Sequence, residues 1–241
     1  MGEFRFKKQE SGTGMRNTGS LRKTSRESPN LEPETKLQPL SEVVLGYQHP
    51  EADAIRAAAE ATYLDSERTF GIPGSRGHSE LGEESMSNVV AEMKEQVHGG
   101  VFLNCGYGDA LNTGLARDLD IKSIIGIEVQ KKGIGEIGEF REEQIGDDVR
   151  ILEIREDITV ALSQMQTASV DVVYYSALDV FRGDLELFFR ELDRVLKPGG
   201  YLIDDGQSNL VERPKWEGVS QDFDAVRESW LTKVLKKRVQ E

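Results

Sequence analysis

Cysteine occurs once in the 241 residues, at Cys105, so no intrachain disulfide framework exists and the composition fits a reducing compartment. Histidine occurs three times, at His49, His78 and His98, too scattered to give metal-ligand spacing, and no bound metal is expected. No apolar run approaches the roughly 18 residues that a membrane span needs. The start, "MGEFRFKKQE", has no apolar core of a secretory signal, and Phe6 stands where a myristoylation signal needs Ser or Thr. These absences describe an intracellular protein, cytoplasmic or nuclear, with no membrane partner. Basic charge is scarce too: 30 Lys and Arg against 43 Asp and Glu leave a formal net charge of −13. Such a chain repels a phosphate backbone, which counts against nucleic acid as a main ligand.

What is present divides by composition. Residues 1–40 carry eight basic and five acidic residues, are rich in Ser, Gly and Thr, and show almost no apolar periodicity. They cannot bury enough surface to offset their ordering entropy and read as a disordered tail. Arg and Ser there would suit a transit peptide, but the acidic residues argue against one. Residues 41–83 read as an extension: a helix in "HPEADAIRAAAEATYLDSER", then a Gly/Pro-rich loop, "TFGIPGSRGHSE". Residues 84–241 read as one α/β domain. Helices are expected in "LGEESMSNVVAEMKEQVHGG", "ALNTGLARDL", "ITVALSQM" and "DLELFFRELDRVL", the last with Leu185, Phe188, Phe189, Leu192 and Leu196 at helical spacing and "KPGG" as its stop. Strands are expected in "VFLNC", "SIIGIEV", "VRILEI", "VDVVYYS" and "YLIDD". These are near-continuous apolar runs alternating with helices, the pattern of a Rossmann-like, doubly wound, mostly parallel sheet covered on both faces. "FDAVRESWLTKVLKKRVQE" reads as a closing helix with Val226, Trp230, Val234 and Leu235 on one face. The sheet is therefore expected to have five to seven strands.

The stretch "VFLNCGYGDALNTGLA" is the first strand-to-helix turn of that domain. Ligands of such sheets sit beyond the carboxyl ends of the strands, and the glycine pair Gly106 and Gly108 lets a ligand approach the backbone closely. Glu128 ends the next strand, where a carboxylate can hold ribose hydroxyls. A dinucleotide fingerprint would place a small residue at position 111, which is Leu111, and Asn104 is polar where dinucleotide folds prefer apolar residues.

The order of these motifs resembles the class I S-adenosylmethionine-dependent methyltransferases over about residues 84–205. "NCGYGDA" is similar to their first motif, Glu128 to their acidic second-strand end, Asp157 in "REDI" to their third-strand acid, "VDVVYYS" to their fourth strand, and "LKPGG" matches letter for letter. The resemblance implies S-adenosylmethionine as cofactor, with Asn104, Gly106, Gly108, Glu128, Asp157, Ile158, Tyr175 and Ser176 around it. Glu128 would accept from the ribose diol. Asp157 would accept from the adenine amino group, with the Ile158 N–H offered to the ring; as a plain alternative, Asp157 caps the helix "ITVAL". Tyr175 and Ser176 would face the place where methyl donor and acceptor meet. Tyr174 and Tyr175 alternate faces, so at least one of them is core.

The chain also departs from the family. Asn104 replaces a carboxylate, and Ala110 stands for a third glycine. Cys105 reads as a small buried hydrophobe. "KKGIGEIGEF" brings three glycines where the family has a helix. The implied activity is methyl transfer to a small-molecule or protein acceptor. Faint similarity to the non-SET histone lysine methyltransferases ("SEL", "GIE") is offset by "YYSALDVF" standing where those enzymes carry an asparagine signature. A catalytically silent binding or scaffold protein is the second reading, and an NAD(P)-dependent oxidoreductase the third. His78 and Glu80 are the candidates for acceptor-side chemistry, with an exposed loop pair as the plainer view. The motifs name no general base and leave the oligomeric state open.

Overall fold

In the computed structural model, residues 38–64, 84–108, 111–129, 134, 136–145, 148–176, 184–205, 221–228 and 232–239 are described. The tail to residue 37, the loop bearing His78 and Glu80, Ala110 and Trp230 lie outside them. An eight-stranded sheet runs in the order β3-β4-β2-β1-β5-β6-β8-β7. Its strands are β1 (Val101–Cys105), β2 (Ser123–Ile127), β3 (Phe140–Ile145), β4 (Val149–Ile154), β5 (Val170–Ser176), β6 (Leu196–Asp205), β7 (Phe223–Glu228) and β8 (Thr232–Lys237). β4, β2, β1, β5 and β6 are parallel neighbours. β3 pairs antiparallel with β4, and β8 and β7 continue antiparallel beyond β6.

The helices cover both faces. α1 (Leu40–Val44), α5 (Ile158–Gln164) and α6 (Leu185–Val195) pack on one, where Leu40, Val44, Leu162, Phe188 and Phe189 join Leu103, Ile125 and Val173 in an apolar cluster. α2 (Ala52–Leu64) packs on α5. α3 (Glu84–Val97) and α4 (Thr113–Asp118) supply the other cluster, with Met93, Val97, Leu115 and Leu119 against Phe102, Ile124 and Val172. Each buried Leu, Ile or Phe in these layers contributes roughly 1.5–3 kcal/mol of transfer free energy. Side-chain caps mark the helix starts: Asp184 accepts from the N–H groups of Glu186 and Leu187, and Asn112 from that of Leu115. Leu40 is fully buried, and the Glu142 carboxylate of β3 holds the start of α1 through the N–H groups of Leu40 and Ser41 and the Ser41 hydroxyl.

Three expectations are corrected. The sheet has eight strands, not five to seven. The closing helix is instead the hairpin β7–β8, in which Thr232, Val234 and Leu235 are buried against β6. In this segment a helical stripe and a strand alternation select overlapping residues. An uncovered β6 edge would expose unpaired backbone groups, and the hairpin meets that need. The glycine-rich run before Phe140 leads into β3, an edge strand whose charged Arg141, Glu142 and Glu143 hide it from an apolar-pattern search. "LKPGG" does not merely stop α6: β6 begins at Leu196, and the pairing jumps from Val170↔Leu196 to Val172↔Tyr201. Gly199, at φ +80, lies within that irregularity.

Candidate cofactor and acceptor site

The carboxyl ends of the parallel strands gather the polar groups. After β1 the chain turns through Gly106 and Gly108 at φ +63 and +57, a region costly for other residues. The Gly106 N–H donates to the Ile127 carbonyl (2.8 Å), tying the turn to β2. The Gly108 N–H donates to Glu128 Oε2 (2.8 Å). A Cβ built on Gly108 meets nothing within 4 Å, so open space, not crowding, lies above the loop. Tyr107 between the glycines folds back over Gly126, where a Cβ would come within 2.7 Å of its ring, and its hydroxyl donates to Glu153 (2.7 Å). Arg141 closes on the other oxygen of Glu153. Burial first, then Glu153, holds the Tyr107 phenol well above its ordinary pKa, so it stays a donor.

Asn104 is buried at the end of β1, and its Oδ1 accepts from the Asn112 N–H (2.9 Å). The amide thereby braces the segment that starts α4. Asp157 caps α5: its Oδ1 accepts from Thr159 N–H (2.9 Å) and Val160 N–H (3.2 Å). Ile158 opens that helix. The neighbouring Glu156, 4 % exposed, accepts from the Asp157 N–H (2.9 Å) and from Arg56 of α2 (2.9 Å). Motif matching alone passed over Glu156, although a second acid stands beside Asp157 in "REDI".

Gly106, Gly108, Glu128, Asp157, Ile158 and Ser176 all lie at the carboxyl edge of the sheet. Tyr175 does not join them. It is fully buried on the α5–α6 side, edge-on to Phe188 with ring centroids 5.9 Å apart. Alternation along β5 sends Tyr174 to the polar side instead, where its hydroxyl donates to Asp205 Oδ2 (2.8 Å). Burial drives the Cys105 thiol far up, in keeping with a packing role rather than a nucleophilic one. Among the described residues no group of three His, Cys, Asp or Glu side chains could hold a metal ion, and no helix is long and apolar enough to cross a membrane.

Comparison with known proteins matches residues 103–204 to the model of a methyltransferase domain. No curated protein matches the chain. Among solved structures, a Corynebacterium glutamicum protein is 13 % identical over 78 % of this chain and 92 % of its own, with a TM-score of 0.47. A SAM-dependent methyltransferase from Aquifex aeolicus is 16 % identical over 63 % and 88 %, with a TM-score of 0.37. An S-adenosylmethionine-dependent methyltransferase from Mesorhizobium loti is 21 % identical over 50 % of this chain and 52 % of that one, at 0.36. The matched span begins inside β1 and ends inside β6, so it contains the glycine turn, Glu128, Asp157 and Tyr174. Residues 103–204 of the chain thus carry the match to a methyltransferase domain, set on a mostly parallel, Rossmann-like sheet.

Proposed function

We propose that the chain binds S-adenosylmethionine over the carboxyl ends of β1, β2 and β4 and transfers its methyl group to a small-molecule or protein acceptor. The observation that carries this reading is the joint placement of Gly106, Gly108 and Glu128: a left-handed turn with open space above it, held by the carboxylate that ends the next strand. The residues fit the group. S-adenosylmethionine has no phosphate, so the site needs close backbone approach and acceptors for a diol and an amino group, not an anion nest. Glu128 would accept from the ribose hydroxyls. Asp157 would accept from the adenine amino group beside the N–H of Ile158, while Glu156 and Arg56 keep its backbone in place. When bound, the cofactor supplies a methyl already activated on a sulfonium.

The chain's part is then proximity and orientation, worth roughly 7–11 kcal/mol when a reacting pair is well aligned. The glycine turn sets the approach, and the closely packed strands beneath fix the frame. Calorimetry with S-adenosylmethionine, S-adenosylhomocysteine and NAD tests the proposal: micromolar binding of the first two and none of NAD is expected, and no binding of the first two would sink it. A silent binding protein is the second reading. It is favoured by Asn104, whose amide is committed to Asn112 where the family has a carboxylate. Cofactor binding without turnover on any fraction of a methyl-labelled cell extract would support it.

A further inference from the structure

The order β4-β2-β1-β5-β6 gives the proposed site a direction. Adenine is assigned to the end of β4 and ribose to the end of β2, so the sulfonium end falls at β1 and β5, where the winding of the sheet reverses. Three strand spacings separate β4 from β5, roughly 14 Å, which is room for an adenosine with its sulfur. At that end lies a feature the cofactor motifs do not use. Asp205, at the end of β6, is fully buried, and both its oxygens accept from hydroxyls: Tyr174 Oη at 2.8 Å and Thr232 Oγ1 at 2.5 Å. No Lys or Arg among the described residues pairs with it. A buried carboxylate that meets, among the described residues, hydroxyl side chains and no cation is costly unless a positive group is brought near.

A route leads outward from Asp205. Ser176 stands two residues beyond Tyr174 on the same face of β5. Ser176 is the strand partner of Asp205 and is partly exposed. With its proton donated inward to Asp205, the Tyr174 oxygen can only accept from a group on the strand-end side. The Tyr174 ring is fixed by stacking on Phe102, with centroids 5.9 Å apart.

We propose that Asp205, acting through Tyr174 and Ser176, makes the acceptor side of the site electronegative and selects a nitrogen acceptor, one that takes on positive charge as it is methylated. This rests on the cofactor reading above. The reasoning is electrostatic: charge leaves the sulfonium during transfer, and an amine nitrogen on the acceptor side gains it. Preorganised dipoles aimed at that position favour such an acceptor over one that ends neutral. Asp205 touches no ligand itself and is a positioning residue, while Ser176 is the group placed to contact the acceptor.

The test needs no known acceptor. Sinefungin carries an amino-bearing carbon where S-adenosylmethionine has its methylsulfonium, so it presents an ammonium at the transfer position. S-adenosylhomocysteine presents no charge there. Calorimetry on the full chain should find sinefungin bound more tightly than S-adenosylhomocysteine by roughly tenfold or more, the scale of one charge-assisted hydrogen bond. Asp205→Asn and Tyr174→Phe should each reduce that ratio to near unity while leaving S-adenosylhomocysteine affinity within about twofold, a pattern that general loosening of the fold would not give. Should Asp205→Asn fail to fold, Tyr174→Phe, which keeps the ring stack, decides. A wild-type protein that does not prefer sinefungin, or a preference that survives in the folded variants, overturns the inference and leaves the cofactor reading intact. Failure of the wild-type protein to bind S-adenosylhomocysteine overturns both.

Discussion

Two rows of residues, one position apart, cross the sheet near its carboxyl edge and differ in kind. Cys105, Ile127, Ile154 and Tyr175 stand in register and face α5 and α6. Asn104, Gly126, Glu153 and Tyr174 stand in register one residue earlier and face the other way. The first row is apolar apart from one phenol, and burial there does the work of stability. The second is polar and close to backbone, with Tyr107 lying across its only glycine. A period of two separates a supporting face from a chemical one within the same strands. The two tyrosines make the contrast sharpest. Tyr174 donates to Asp205. Among the described residues the Tyr175 hydroxyl has no hydrogen-bond partner, and burial, then the nearby Asp204 carboxylate, hold its phenol well above the ordinary pKa.

The largest expected effect breaks the supporting face. Phe188→Ala removes a fully buried ring packed on Tyr175 and Phe189 and should cost about 3–5 kcal/mol in equilibrium denaturation. The fraction that remains folded should bind cofactor as before. If cofactor affinity falls in step with stability, the division between faces is wrong.

Next comes the chemical side. Glu128→Ala should weaken S-adenosylmethionine binding by roughly 1.5–3 kcal/mol, the cost of losing charged hydrogen bonds. The same substitution removes the acceptor of the Gly108 N–H, so a melting curve on the same sample separates loss of the turn from loss of the ligand contact. Unchanged affinity removes Glu128 from the site.

A smaller effect separates the tyrosines. Tyr175→Phe deletes a hydroxyl without a well-formed hydrogen bond and should change stability by less than about 1 kcal/mol, with cofactor affinity untouched. A marked loss of affinity would return Tyr175 to the site.

The smallest effect concerns α1. Burial works to raise the Glu142 pKa, but hydrogen bonds from Leu40 and Ser41 outweigh it, so the folded-state value is lowered. Its contribution is therefore present above the ordinary carboxylate range and is lost as pH falls through the folded value. Melting curves of the wild-type protein and Glu142→Gln should differ near neutral pH and converge in acid. Parallel curves at all pH values would show that the carboxylate does not dock α1.

These contrasts also explain what could be read from the sequence. The central strands were legible because both their faces are buried, and a run such as "SIIGI" has few other fates. The glycine turn and Glu128 were legible from spacing. The edges were not. β3 has one thin apolar signal amid charge, and "FDAVRESWLTKVLKK" satisfies two periodicities until the bare flank of β6 selects one. Choosing Tyr175 over Tyr174 required knowing which face carries α5 and α6, and that is set by contacts far away in the chain. Glu156 was hidden because its role depends on Arg56, 100 residues earlier.

At the amino edge of the sheet, far from all of this, Asp171 accepts from the Val101 N–H (2.7 Å) and twice from Lys197 (2.8 and 2.9 Å). Gly100 and Gly200 press so closely on the same residue that a Cβ on either would fall within 2.8 Å of it. One residue thus rivets the entries of β1, β5 and β6 at the end opposite the glycine turn. Amide exchange should be slowest at that end and quicken toward the glycine turn, the pattern of a fan pinned at its handle and free to adjust at its rim.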